Sequence, residues 1–412
     1  MKERGKLTRR EFLQISALTT AGIVVTACRA PSTPAPETPA PAVEAPKETE
    51  PTAVPEPVSQ YNEAPELASM VTAGTLPPVD ERLPLEPLVV TPVEEVGQYG
   101  GVWHRAAVGP GDVQIGARLS YENLIRWNAD GSAMLPNVAK AWDISADGRA
   151  FTFYLRQGMK WSDGEPFTAE DIRFLFEDQW GNEELSPTGM PGWLKMDGEP
   201  ALFEKVDDYA FRITFSQPNG LFLTLLASAN GLHFHRAAHY AKQFHVHYED
   251  REKLEKDAAD AGFEFWYQLY NNKAGNYWEV VRENVDLPTI YAWQVIVPSP
   301  TSPTVLDRNK YYWKVDTAGN QLPYIDKIEH TLVENAEVLN LKAIAGELDM
   351  QLRHINFANF PLFQDSREQG DYRVLQWLRG YITDTAIAPN VVHKDPVMRE
   401  IIGDKRFRWA LS

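Results

Sequence analysis

Histidine is the one reactive side chain that this sequence gathers in one place. Five of its nine histidines fall in His233-x-His235-x-x-x-His239 and His245-x-His247. Imidazoles two or four residues apart can share a metal ion on an extended or helical backbone. No carboxylate partner accompanies them at a set spacing. A solvated or partly buried histidine face is therefore the expected state, and no metal ligand is assigned. Asp-Gly pairs at Asp130, Asp147 and Asp163 lack the alternating oxygen ligands and closing Glu of a calcium loop, so they read as turns. With 57 acidic residues, some pair must lie at glycosidase spacing, which makes that reading unspecific. No Gly-x-Ser-x-Gly elbow, P-loop or dinucleotide fingerprint occurs. Asn271-Asn272-Lys273, flanked by Tyr267, Tyr270, Tyr277 and Trp278, reads as a turn beside a small aromatic core in preference to a sugar platform. No catalytic residue and no cofactor is expected.

Cys28 is the sole cysteine, which excludes an intramolecular disulfide and a cysteine-based metal centre. Its surroundings give it another chemistry. Lys2, Arg4, Lys6, Arg9 and Arg10 make a basic start, and Phe12 to Ala27 runs sixteen residues without a charge. That run is shorter than the roughly 20 apolar residues of a bilayer span, so it reads as an export leader. Thr8-Arg9-Arg10-Glu11-Phe12-Leu13-Gln14 resembles a twin-arginine signal, and Val25-Thr26-Ala27-Cys28 resembles a lipoprotein box. Residues 1–28 are expected to be a signal peptide, with a lipid on the sulfur of Cys28.

Residues 29–96 hold 15 prolines, 3 basic and 12 acidic residues. A segment so poor in apolar surface is expected to be an extended tether. The whole chain carries a net charge of −17, which disfavours a nucleic-acid partner. Its 412 residues exceed an average domain, so two or more lobes are expected. The twelve tryptophans are core material or a stacking surface for a ligand.

The elements that must position any site begin near Gly97. Gly100-Gly101 opens a strand that runs to Val108, and Gly109-Pro110-Gly111-Asp112 breaks it. Leu119 to Trp127 reads as helical or mixed, and Pro136 to Trp142 as a short helical or extended piece. Ala150 to Arg156 alternates as a strand, and Met159 to Trp161 follows as a second, short one. Thr168 is a candidate N-cap with Asp171 three residues on, and the helix after it is expected to run from Ala169 to about Trp180.

Taken in order, these fragments carry a resemblance. They are Tyr121-Glu122-Asn123-Leu124, Pro136-Asn137-Val138-Ala139-Lys140-Ala141-Trp142, Phe151 through Gly164, and Pro166-Phe167-Thr168-Ala169-Glu170-Asp171-Ile172. Together they resemble family 5 solute-binding proteins of ABC importers, the oligopeptide- and dipeptide-binding type. Asp207 to Phe215, Arg308-Asn309-Lys310-Tyr311-Tyr312-Trp313, Pro323 to Ile328 and Ala345 to Asp349 agree with the same pattern, as does Asp404 to Ser412.

The resemblance implies an α/β, two-lobe fold of the periplasmic-binding-protein type (class II). A first lobe with an inserted subdomain is expected over 97–300. The rest of that lobe and the start of the second are expected over 301–412. The family pattern continues past the point where this chain stops, so an incomplete second lobe is expected. The implied function is capture of a peptide or oligosaccharide in an interlobe cleft and its delivery to a membrane permease. The protein is expected to act as a monomer, exported and held by lipid on the outer face of the cytoplasmic membrane. A tethered secreted hydrolase is the alternative. For ligand contacts the resemblance points to the loop Val108-Gly109-Pro110 and to Trp293, for which ordinary core is the competing role.

Overall fold

Fourteen short strands, most of them antiparallel, make up the sheets of the computed structural model, which describes residues 59–232, 234–275, 277–377 and 387–411. In chain order these are β1 (Leu88–Val90), β2 (Val102–Ala107), β3 (Ile125–Trp127), β4 (Met134–Pro136), β5 (Ala139–Ile144), β6 (Ala150–Leu155) and β7 (Lys195–Met196). They continue as β8 (Glu199–Pro200), β9 (Leu202–Asp207), β10 (Ala210–Thr214), β11 (Trp293–Val297), β12 (Thr304–Arg308), β13 (Lys314–Asp316) and β14 (Lys327–Leu332).

Two four-stranded sheets carry the architecture. One has the order β5-β6-β10-β9, all antiparallel. Strand β6 alternates strictly, with Phe151, Phe153 and Leu155 inward, as a half-buried strand must. Phe153 stacks on Phe211 of β10, and Phe222 closes over Phe151 with ring centroids 4.8 Å apart. The other sheet has the order β11-β12-β14-β2, with β2 parallel to β14 at its edge. It joins strands from either side of residue 300.

Glycine opens β2 because the chain turns sharply there. Gly100 and Gly101 take φ of +121° and +86°, conformations that a side chain would strain. The Gly101 carbonyl then accepts the N–H groups of Asp326 and Lys327, which sets the start of β14 against β2.

The helix after Thr168 begins as expected. Thr168 Oγ1 accepts the Glu170 N–H, and Asp171 Oδ2 accepts the Thr168 N–H at 2.8 Å, a complete capping box. The α-helix covers only Ala169–Arg173 and continues as a π-helical turn over Phe174–Gln179. The region read as helical or mixed, Leu119 to Trp127, is not helical: only Leu119 ends the π-helical turn Ile115–Leu119, and an irregular stretch leads into β3. Residues 136–142 run from the end of β4 through a bend at Asn137-Val138 into β5. The short strand expected at Met159–Trp161 is reduced to one bridge, Lys160 to Pro166.

Residues 59–96 of the segment expected to be a tether instead pack on the body. Pro65–Thr72 and Val79–Arg82 are helical, and β1 adds in parallel to β13. The anchor is Arg82, whose side chain is wholly buried. It donates to the Pro77 and Lys310 carbonyls and to Gln321 Oε1, and it pairs with Glu63. Proline-rich composition stops neither a Pro-started helix turn nor a short edge strand, and one buried arginine supplies the long-range contacts that composition cannot reveal. The signal peptide of 1–28, Cys28, residues 29–58 and His233 lie outside the described residues.

Candidate functional site

A cavity of about 880 Å³ opens beside β2. That is within the range of ligand sites for small molecules. Trp103 and Arg105 reach it from alternate positions of the strand, so both project from the same face. Arg118 enters from the π-helical turn. Arg353 and His354 come from the segment after the helix Ala336–Ile344, and Trp377, still half-exposed, adds to the lining.

That far segment is tied to β2 like an additional strand. The His104 N–H donates to Asp349 Oδ2 at 2.6 Å, and the Asp349 N–H donates back to the His104 carbonyl. Trp103 Nε1 donates to the Met350 carbonyl at 3.2 Å. Gln351 exchanges side-chain hydrogen bonds with the Ala106 N–H and carbonyl. An edge strand with unpaired backbone groups is thereby covered, and Arg353 and His354 are delivered to the cavity.

Asp112 does not line the cavity but holds Arg353 and His354, which do. It lies 2.7 Å from His354 Nε2 and accepts from Arg353 Nε at 3.0 Å and from the Val108 N–H at 3.0 Å. Arg118 donates to the Asp112 carbonyl oxygen at 2.7 Å. Burial pushes the Asp112 carboxyl up, but the hydrogen bonds from Arg353, His354 and Val108 outweigh it and hold the group below its ordinary value. His354 keeps a left-handed backbone, φ +61°, and its carbonyl accepts from Asn340 Nδ2 at 2.7 Å.

The charge left over is positive. Arg105 is only 7% exposed, yet among the described residues no carboxylate pairs with it and its Nε has no hydrogen-bond partner. Its guanidinium sits 4.9 Å from the Trp103 ring centroid. Burial, with the nearby charge of Arg118, pushes Arg105 down to about 10, so it stays protonated at neutral pH. Beside it in register on β14 is His330, which burial and the two arginines push down to about 3, so that ring is neutral.

The residues singled out from sequence, Val108, Gly109, Pro110 and Trp293, are not among those that line this cavity. Val108, Gly109 and Pro110 form the turn that leads out of β2. Their contribution there is backbone: the Val108 N–H meets Asp112, and the Gly109 carbonyl accepts the Asp112 N–H. Trp293 is 8% exposed and lies under Trp103, edge to face at 6.2 Å, with Nε1 donating to the Ile325 carbonyl. The side chains that line the cavity were not singled out. Alternation from Trp103 to Arg105 along a strand with a glycine entry was their one local signal.

The histidines are drawn into structural networks. Asp178, His245 and His247 bring their polar atoms within 4.8 Å of one another. Both nitrogens of buried His245 are already engaged, one with the Asp178 carbonyl at 3.1 Å and one with the His247 N–H at 3.2 Å. The Asp178 carboxylate also accepts from Arg173 and from the Tyr248 hydroxyl. Arg173 thus already supplies Asp178 with a positive partner. Asp163 lies 2.7 Å from His239 Nε2. Burial pushes His239 down, but Asp163 outweighs it and holds the imidazole above its ordinary value.

Comparison with known proteins places this architecture. Residues 133–412 match the model of bacterial extracellular solute-binding proteins, family 5 (middle part). The chain belongs to that family, a family of solute-binding proteins with the α/β, two-lobe fold. It is 34% identical over 302 residues to the periplasmic alpha-galactoside-binding protein of Rhizobium meliloti, covering 68% of this chain and 40% of that one. An oligopeptide-binding protein OppA superposes with a TM-score of 0.74 at 41% identity, over 87% of this chain and 56% of that one. The periplasmic binding protein MelB of Agrobacterium fabrum C58, solved with stachyose, superposes at 0.58 with 29% identity, over 76% of this chain and 46% of that one. The chain thus spans about half the length of these relatives.

Proposed function

We propose that this protein is the extracytoplasmic solute-binding component of an ABC importer, and that its solute is an oligosaccharide bound in the cavity beside β2. The observation that carries the reading is the pairing of Trp103 with Arg105 on one face of β2 inside that cavity. An indole offers a flat apolar face to a sugar ring, and a guanidinium offers several donors to its hydroxyls. The relatives named for an alpha-galactoside and crystallised with stachyose point the same way. The likeness to an oligopeptide-binding protein makes a peptide the second reading.

Capture follows from differential affinity. A solute that touches both lobes favours their closed arrangement by as much as it binds that state better. The closed form is then the one a permease recognises. Release at the permease requires no bond to be made or broken, so no side chain is assigned a catalytic role. The loop Val108-Gly109-Pro110 shapes the cleft through Asp112, and Trp293 backs Trp103. Export by the twin-arginine leader and a lipid on Cys28 would hold the protein, as a monomer, at the outer face of the cytoplasmic membrane.

The test is thermal unfolding of the full chain with stachyose and with trialanine, followed by mass spectrometry of the recovered solute. A rise in Tm with stachyose returned intact supports oligosaccharide capture. A rise with trialanine alone moves the reading to peptides. Cleaved solute would replace transport by hydrolysis.

A further inference from the structure

The cavity beside β2 contains a charge that the protein itself does not answer. We infer that Arg105 is the specificity-determining residue of the cleft, donating to adjacent hydroxyl oxygens of the solute and selecting hydroxylated solutes against those that carry an ammonium group. This rests on the solute-capture reading above and assigns its selectivity.

Burying an arginine without a partner is costly, because the charge loses its water and regains nothing. Proteins therefore pair such groups, and this one does so elsewhere. Arg82 is wholly buried and has Glu63, Gln321 and two carbonyls. Arg308 has Asp326 and the Tyr324 carbonyl. Arg105 differs in having no side-chain hydrogen bond or ion pair at all among the described residues: its Nε is buried without an acceptor, as that of Arg308 also is, but no other guanidinium nitrogen of Arg105 finds an acceptor either, and the side chain lines the cavity. Asp112, a carboxylate beside the cavity, is taken up by Arg353, His354 and the Val108 N–H. His330, beside Arg105 in register, offers no negative charge. What is missing is a set of acceptor oxygens, and a solute placed against Trp103 would bring them within reach.

The same balance argues against an ammonium-bearing solute. Arg105, Arg118 and Arg353 line the cavity, while its lining has no Asp or Glu among the described residues. An α-ammonium group brought there would meet like charge in a low-dielectric setting.

The experiment compares the full chain with Arg105→Met and Arg105→Lys, using stachyose and trialanine as probes. Two quantities are read: affinity from tryptophan fluorescence, and the Tm of the ligand-free protein. Stachyose affinity is expected to fall about 10- to 100-fold in Arg105→Met, the loss for hydrogen bonds to a charged donor, and less in Arg105→Lys. Because methionine keeps the apolar stem and removes an unanswered charge, the ligand-free Tm of Arg105→Met is expected to rise. A purely structural arginine would give the opposite sign. Stachyose binding within threefold of the parent in Arg105→Met overturns the assignment while solute capture stands. A lowered ligand-free Tm with unchanged affinity does the same. Parent protein that binds trialanine and not stachyose overturns the selectivity while solute capture again stands. Parent protein that binds neither overturns both readings.

Discussion

Lys314 Nζ lies 2.7 Å from Glu122 Oε2, and neither side chain is more than 4% exposed. Glu122 also accepts from the Tyr312 and Ser120 hydroxyls and from Asn137 Nδ2. Burial alone would raise its carboxyl, but Lys314, Tyr312 and Ser120 outweigh burial and keep Glu122 below its ordinary value. The pair fastens β13 to the segment that leads into β3, across nearly two hundred residues of sequence.

A single replacement there should therefore be severe. Lys314→Met strands Glu122 as an unpaired buried charge and should lower unfolding free energy by about 3–5 kcal/mol in urea denaturation. Adding Glu122→Gln removes that charge and keeps an acceptor for Tyr312, so the double variant should regain part of the loss. A double variant no better than the single one would show that packing, and not the stranded charge, sets the cost.

Asp171 gives the protein a pH dependence of defined sign. Its carboxyl accepts from the Thr168 and Ala238 N–H groups, and complete burial still pushes it up to about 7. An unfolded chain releases this proton near its ordinary value of about 3.9. Between these values the folded state binds more proton, so the group's stabilising contribution is full below about pH 4 and is lost as pH rises towards 7. The difference in Tm between the parent and Asp171→Asn should shift against the parent over that window and stay level above it. Parallel curves from pH 4 to pH 8 would contradict this.

Arg82 should control whether the amino-terminal arm stays docked. Arg82→Met leaves Glu63 and Gln321 without their donor and should cost about 3 kcal/mol. Brief proteolysis of the variant should cut within 59–96 before the body is attacked. Equal protection of both proteins in that stretch would show that β1 pairing suffices.

Asp112 should tie stability to the cleft. Its lowered value means that the ionised form is favoured by folding, so its contribution is present above the unfolded value and is lost as pH falls through the folded one. Asp112→Ala frees Arg353 and His354 and should weaken stachyose binding about tenfold, with a loss of about 2 kcal/mol in stability. Asp112→Asn keeps an acceptor for Val108 and should fall between. Unchanged affinity in Asp112→Ala would place the solute away from this wall.

Much of the scaffold is legible in the sequence because its causes are local. Strict alternation from Ala150 to Leu155, the glycines before Val102 and the Thr168–Asp171 pair each act within a few residues, and each marks where the expected element begins. The ordered fragments from Tyr121 to Ile172 were enough to point to the family. What the sequence could not show are relationships between distant residues. Composition made 59–96 look like a tether, because no local pattern announces that Arg82 is buried against Lys310 and Gln321. The clustered histidines were expected to form a solvated or partly buried face, but the sequence could not show their partners: folding sends His239 to Asp163 and His245 and His247 to Asp178. The cavity follows the same rule. Trp103 and Arg105 are adjacent in pattern, but only tertiary packing gives Asp112 its partners Arg353 and His354 and leaves Arg105 without a carboxylate partner among the described residues. Periodicity and turn chemistry are written along the chain, whereas burial and charge pairing depend on which distant segments the fold brings together.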